Sequence, residues 1–247
     1  MLVWGGLANF ESPVPGVVPT PLGSGAIWQP ATTPDTPSTW LPLPAADQPQ
    51  ARSHHTTVWT GEEFIVWGGC KTVDMSGACI APLNDGARFN PSTMTWKPIA
   101  RVNGSFTPAA RAGHHAFWTG SVLIIWGGDG VNGPESSGAI YSPALDLWFP
   151  MAEQGAAGRR DANVAWRGDR MIVWGGAGAD PREVHEYFPP TSSQLEFGGH
   201  WSVSRLNQAP EATTFGTFLW TGKSVLHWGG VTMDEEYPSI GARFLSP

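Results

Sequence analysis

Two cysteines, two His-His pairs and a set of evenly placed arginines are the residues in this chain whose chemistry reaches beyond packing. Cys70 and Cys79 are the only cysteines and lie in one short segment. A loop disulfide is the favoured reading, because it restricts a connection that has no core of its own. It implies an oxidising compartment, periplasmic or extracellular. Two free thiols are the alternative, and metal ligation is disfavoured because the pair lacks Cys-x-x-Cys spacing. His54-His55 and His114-His115 offer imidazoles that zinc or copper would accept if they converged. Arg52, Arg111 and Arg159 offer guanidinium groups able to hold a carboxylate or sulfate bidentately. Asp129-Gly130-Val131-Asn132-Gly133 starts like a calcium loop but has no glutamate at loop position twelve.

The elements that must position these groups are set by composition and by a repeat. The 247 residues include 31 Gly, 23 Pro and 14 Trp but only 14% charged residues, a profile of many turns and large aromatic anchors that favours an all-β fold. The net charge of −7 excludes a general attraction to phosphate backbones, so neither nucleic acid nor an anionic membrane surface is expected as a partner. No apolar run is long enough to span a bilayer, and Met1-Leu2-Val3-Trp4 has no basic start, so neither membrane insertion nor a signal peptide is read in the given chain.

Trp-Gly-Gly occurs at Trp4, Trp67, Trp126, Trp174 and Trp228, each time closing an apolar run such as Phe64-Ile65-Val66. Those runs read as buried strands. Eight residues before the last four of these lie Trp59, Trp118, Trp166 and Trp220, each followed by x-Gly. A constant offset across a glycine is what a tight hairpin requires, since one inserted residue would turn every later side chain to the other face. A third element follows, Gly25-Ala26-Ile27-Trp28 and its counterparts ending at Phe89, Tyr141, Phe188 and Phe244, and a fourth carries Trp40, Trp96, Trp148 or Trp201. This places all 14 tryptophans in five repeats of up to four strands, a to d, over residues of approximately 1–50, 51–107, 108–156, 157–208 and 209–247. Four-stranded units repeated around an axis make a β-propeller, here one domain spanning 1–247. Repeat one lacks strand a and repeat five lacks strand d, so eighteen strands are expected. A self-closing propeller, a piece of a larger one, and open edges completed by another chain remain three readings.

The run Arg111-Ala112-Gly113-His114-His115, Trp118-Thr119-Gly120, Trp126-Gly127-Gly128, Gly138-Ala139-Ile140-Tyr141 and Trp148 resembles the Kelch repeat, in the Trp-rich form found in bacterial secreted proteins. The resemblance covers essentially the whole chain. It implies a five-bladed Kelch-like propeller with incomplete first and last blades, and it implies that the arginine at this position bonds loop carbonyls and locks blade to blade. It says little of activity, because such propellers serve as binding modules, lectin-like domains and enzyme scaffolds.

Aligned on the repeat, His55 matches His114 at the start of strand a, where Ala162 and Gly216 stand in repeats four and five; backbone-bonded histidines are therefore the simpler reading than a metal site. His227 reads as a core histidine. Trp-Gly-Gly to the strand d Trp spans 36, 29, 22 and 27 residues in repeats one to four, so insertions fall in the b–c and c–d connections. Variable loops on a fixed scaffold carry recognition, and the two longest b–c segments, 7–24 and 70–85, place the expected binding surface on the b–c/d–a face. Arg167-Gly168-Asp169 fills a turn whose glycine the geometry already demands, and Asn103-Gly104-Ser105 is a glycosylation sequon. No nucleophile elbow, phosphate loop or zinc-protease motif is present.

The expectation is a non-catalytic recognition module without cofactor, binding a protein or glycan in an extracellular or periplasmic setting. Arg52, His55, Arg111, His114 and Arg159 are the candidate ligand-binding residues, and Cys70 and Cys79 the disulfide. A propeller enzyme acting on a sugar or peptide at the channel mouth, using the same groups, is one alternative. A structural subunit forming homo- or hetero-oligomers through its incomplete terminal blades is the other.

Overall fold

Each apolar run that ends in Trp-Gly-Gly forms strand b of an antiparallel sheet, and the chain order a-b-c-d is also the order across the sheet. In the computed structural model the described residues are all except 10–16, 34, 100–105, 154–160, 177–179, 181, 208, 233, 239–240 and 245–247. The second, third and fourth sheets have four strands: Thr56–Trp59, Phe64–Trp67, Gly86–Asn90 and Thr95–Pro98; His115–Trp118, Leu123–Trp126, Gly138–Ser142 and Leu147–Pro150; Asn163–Trp166, Met171–Trp174, Glu183–Phe188 and His200–Arg205. The first has b, c and d (Leu2–Trp4, Gly25–Gln29, Thr39–Pro42) and the fifth a, b and c (Thr217–Trp220, Val225–Trp228, Gly241–Phe244). These are the eighteen strands expected, joined by a few two-residue ladders; one short 3-10 turn, Leu195–Phe197, is the sole helix among the described residues.

The a–b turns explain the fixed Trp-to-Trp spacing. Thr60 N–H donates to Glu63 C=O at 3.0 Å, and the same bond closes Thr119–Val122, Arg167–Arg170 and Thr221–Ser224. The first central residue is Gly61, Gly120, Gly168 or Gly222, with φ between 88 and 104°. A two-residue hairpin with positive φ at that place takes glycine there, which is why Trp-x-Gly recurs.

The chain divides into two compact units, residues 1–103 with 109–114 and 129–132, and residues 104–108 with 115–128 and 133–247. In the first, Trp4, Phe64, Val66, Ala87, Phe89 and Trp96 form the core. In the second, Ile124, Trp126, Met151, Val164, Met171, Val173 and Tyr187 form one cluster, and Ile172, Trp174, Val184 and Val225 another. Burying these side chains supplies roughly 1.5–3 kcal/mol apiece, so the tryptophans and the β-branched strand b residues dominate stability. No helix among the described residues is long and apolar enough to cross a membrane.

Candidate functional site

The arginine positions are internal. Arg52 is 0% exposed; its Nη1 donates to Gly68 C=O and Asp85 C=O at 2.9 Å, its Nε to Gln50 C=O at 3.0 Å, and its Nη2 pairs with the Asp85 carboxylate. Its backbone is tied in as well, with Arg52 N–H on Leu22 C=O and Gly6 N–H on Arg52 C=O. Arg111 repeats this one sheet on: it is buried, its Nε donates to Ala109 C=O, its N–H to Leu83 C=O, and its own carbonyl accepts from Gly69 N–H. In repeat five the equivalent residue is Thr213, whose carbonyl accepts from Gly176 N–H and whose hydroxyl lies 2.8 Å from His227 Nε2. Arg159 lies outside the described residues.

The histidines at the start of strand a sit against the preceding tryptophan. His55 meets Trp4 edge-on at 5.4 Å and His114 meets Trp67 edge-on at 5.1 Å, with His114 Nε2 2.6 Å from Thr56 Oγ1. A Cβ on Gly5 or Gly68 would stand 2.7 Å from the imidazole Cε1 of His55 or His114, so the first glycine of Trp-Gly-Gly is the space the ring occupies. Burial, helped by the Arg52 charge, pushes the His55 pKa down to about 4, and burial does the same to His115. Neighbouring histidines diverge: His54 Nδ1 lies 2.9 Å from Ser53 Oγ, while His115 stacks on Trp126. Among the described residues no three His, Cys, Asp or Glu side chains are grouped to hold a metal ion. Asp129 and Gly130, the start of the calcium-loop-like run, pair with Ala112 and Arg111 in a short antiparallel ladder. At the Arg-Gly-Asp turn the Arg167 guanidinium lies over the Trp220 ring and Asp169 pairs with Arg170 at 3.0 Å.

The b–c connection of repeat two is the most highly built loop. Cys70 and Cys79 form a disulfide with Cα atoms 5.7 Å apart. Lys71 N–H donates to Ala81 C=O, Ile80 N–H to Thr72 C=O and Asp74 N–H to Ala78 C=O, so the segment is a hairpin. Its tip is closed by the Asp74 carboxylate, which accepts from Ser76 N–H, Ser76 Oγ–H and Ala78 N–H at 2.7–3.0 Å. These bonds hold the Asp74 pKa below the usual carboxylate range. Cys70 and Val73 anchor the hairpin in a small cluster with Ala112 and Leu7. Outward from that base stand Met75, 70% exposed, and Ile80, 63% exposed. The b–c connection of repeat one is also a hairpin at its base, where Leu7 pairs with Pro21 and Ala8 with Thr20.

Sequence reasoning placed the loop but missed its exposed apolar residues, Met75 in the turn and Ile80 on the return arm, which only the hairpin pairing reveals. It also missed a shallow cavity of about 490 Å³ on the c–d connection of repeat one, where Trp28 stands beside Gln29, Thr32, Thr36 and Thr39. The signal available was Trp28 standing where repeats two and three carry the smaller rings of Phe89 and Tyr141.

No protein-family model matches the chain. Over 84 residues, 34% of its length, it is 36% identical to a probable serine/threonine-protein kinase of Dictyostelium discoideum, and it spans only 6% of that protein. A solved structure titled "Structure of YjhT" superposes with a TM-score of 0.50 over 90% of this chain and 88% of that one, at 15% identity. At that identity the likeness is one of fold.

Proposed function

We propose that the chain is a recognition module on a Kelch-like five-repeat β-propeller scaffold, exported to an oxidising compartment, that binds a protein or glycan through its b–c connections. The observation that carries this reading is the 70–82 hairpin. A disulfide, a backbone ladder and an Asp74-closed turn fix a loop that offers Met75 at its tip and Ile80 on its return arm to solvent. Ordering a loop before contact lowers the entropy lost on binding, and an exposed methionine is adaptable contact surface. The disulfide supports the exported setting. The enzyme reading gains less support, since Arg52 spends its donors on protein carbonyls and on Asp85, and His55 and His114 pack on tryptophans.

The test is a photoreactive residue at the exposed position 78, so that Met75 is retained, crosslinked against the secreted fraction of the source cells, alongside a glycan array. A saturable adduct or glycan signal lost when the double change Met75→Ser, Ile80→Ser is added is the expected result. That variant should melt within about 0.5 kcal/mol of the parent, because both side chains are exposed. An unchanged signal in it removes the hairpin from recognition.

A further inference from the structure

Strand d is the outer edge of sheets one to four, and in three of them that edge is blunted in the same way. Thr39–Pro42, Thr95–Pro98 and Leu147–Pro150 are four residues long and end in a proline two places after the strand d tryptophan. The prolines face Ala26, Ala87 and Ala139 of strand c. Leu43 N–H donates to Gly25 C=O and Ile99 N–H to Gly86 C=O, so by alternation the backbone at the proline positions points away from strand c. Proline there removes the donor that a further strand would need, which is one way natural sheets protect an edge.

The fourth sheet lacks this protection. Its strand d, His200–Arg205, is six residues long, and Val203 stands two places after Trp201, where the other three sheets have proline. Leu206 N–H donates to Arg182 C=O at 2.8 Å, which fixes the alternation: His200, Ser202 and Ser204 bond strand c, and the N–H and C=O of Trp201, Val203 and Arg205 point outward. Among the described residues no strand or bridge pairs with that side. No chain end makes this edge, because residues 206–216 carry the chain on to strand a of the fifth sheet, Thr217–Trp220. Val203 is 52% exposed, and the Arg205 guanidinium is held by Glu183 of the neighbouring strand at 2.7 Å. A long edge with outward donors and acceptors is a template for pairing.

We propose that this edge is a self-association site, at which strand d of a second copy pairs antiparallel about a twofold axis at Val203 and joins two four-stranded sheets into one. The occupant follows from the order of residues in the strand. With the axis at Val203, Trp201 faces the partner's Arg205, Ser202 faces the partner's Ser204 and Val203 faces the partner's Val203. No other antiparallel register pairs all the outward residues within the strand: an axis at Ser202 or Ser204 leaves an end residue without a partner, and an axis at Arg205 sets two guanidinium groups face to face. Every facing pair is compatible, a cation beside an indole, two hydroxyls, and two β-branched side chains. A contact in which the same strand meets itself closes as a dimer and does not propagate into a filament.

The test is the light-scattering mass of the full chain across a dilution series, which should double as concentration rises. Val203→Pro gives the fourth sheet the residue that sheets one to three carry, leaves the bonds to strand c in place, and should keep the chain monomeric throughout. Val203→Lys and Val203→Glu should each weaken association severalfold or more, since each sets like charges across the axis. An equimolar mixture of those two variants should restore association, with the gain shrinking as salt rises. Restoration requires position 203 of one copy to lie against position 203 of another, so a folding defect does not imitate it. A parent that stays monomeric, a dimer that survives all three substitutions, or a mixture that fails to re-associate overturns the proposal. The edge belongs to the second compact unit and shares no residue with the 70–82 hairpin, so Met75→Ser, Ile80→Ser leaves the dimer intact and the two readings fail separately.

Discussion

Strand b of the fourth sheet, Met171–Trp174, is buried at every residue, while strand b of the fifth, Val225–Trp228, is buried at alternate ones. Both end in Trp-Gly-Gly and both are mainly apolar, and the one polar difference, His227 in place of Val173, is itself buried, so it does not account for the exposed residues. The difference lies in what covers the second face. Trp174 is 0% exposed because Phe218, His227 and Phe244, all from repeat five, surround it at 4.8–6.2 Å. Trp228 is 62% exposed and has no such ring neighbour among the described residues. In a stacked repeat the same side chain is core or surface according to its neighbour, and the repeat is stable only where the next one follows.

The largest effect should separate these two tryptophans. Trp174→Ala is expected to cost about 3–5 kcal/mol and Trp228→Ala less than about 1, read from urea unfolding of each variant. Equal losses would mean that Trp228 is covered in solution. The glycines that follow sharpen the point at smaller scale. Gly175 and Gly229 share a left-handed backbone, φ 69 and 66°, yet a Cβ on Gly175 would meet Thr213 C=O at 2.8 Å and one on Gly229 would meet nothing. Gly229→Ala should therefore cost about 1 kcal/mol from backbone strain alone, and Gly175→Ala about 1–3 more from the clash. Similar melting temperatures for the two variants would remove the close approach of repeat five to Gly175.

What the sequence made legible follows from which contacts are local. The eight-residue Trp-to-Trp spacing encodes a two-residue turn, and strand positions follow from it without knowledge of any neighbour. The c–d pairing is legible for the same reason, since Phe89 and Trp96 are joined by a short connection. The pairing of Cys70 with Cys79 was favoured because one loop holds both. Exposure of Trp228 was not legible, nor was Met75 at a hairpin tip, because Asp74-Met75-Ser76-Gly77 has no strand periodicity to read, nor Ile80 outward on the return arm opposite Thr72. The arginines fall between these cases. Their equal spacing was visible, but that Arg52 would be enclosed by carbonyls of residues 50, 68 and 85 depends on three chain segments meeting.

Acid provides the last comparison, between a histidine in a complete sheet and one in the open sheet. His115 stacks on Trp126 in the third sheet, and burial pushes its pKa from 6.5 to about 4, opposed by the Ala162 backbone. His227, in the fifth, is also lowered by burial. Both are bound neutral in the fold and take a proton more readily when unfolded. Between about pH 6.5 and pH 4 the unfolded chain therefore carries more protons, and the free energy of unfolding falls as pH falls. The contribution is complete above the unfolded value and gone below the folded one. A full shift of this size corresponds to about 3 kcal/mol, and residual solvent contact reduces it to roughly 2 for His115. Urea midpoints measured from pH 7 to pH 4.5 should decline, and His115→Gln should flatten that decline more than His227→Gln does. His55, lowered to about 4 in the first compact unit, retains its own share of the slope in both variants. If His227→Gln flattens the curve as much as His115→Gln, the 4% exposure of His227 penalises its charged form as heavily as the stacking on Trp126 penalises that of His115, and the contrast between complete and open sheets is confined to their outer faces.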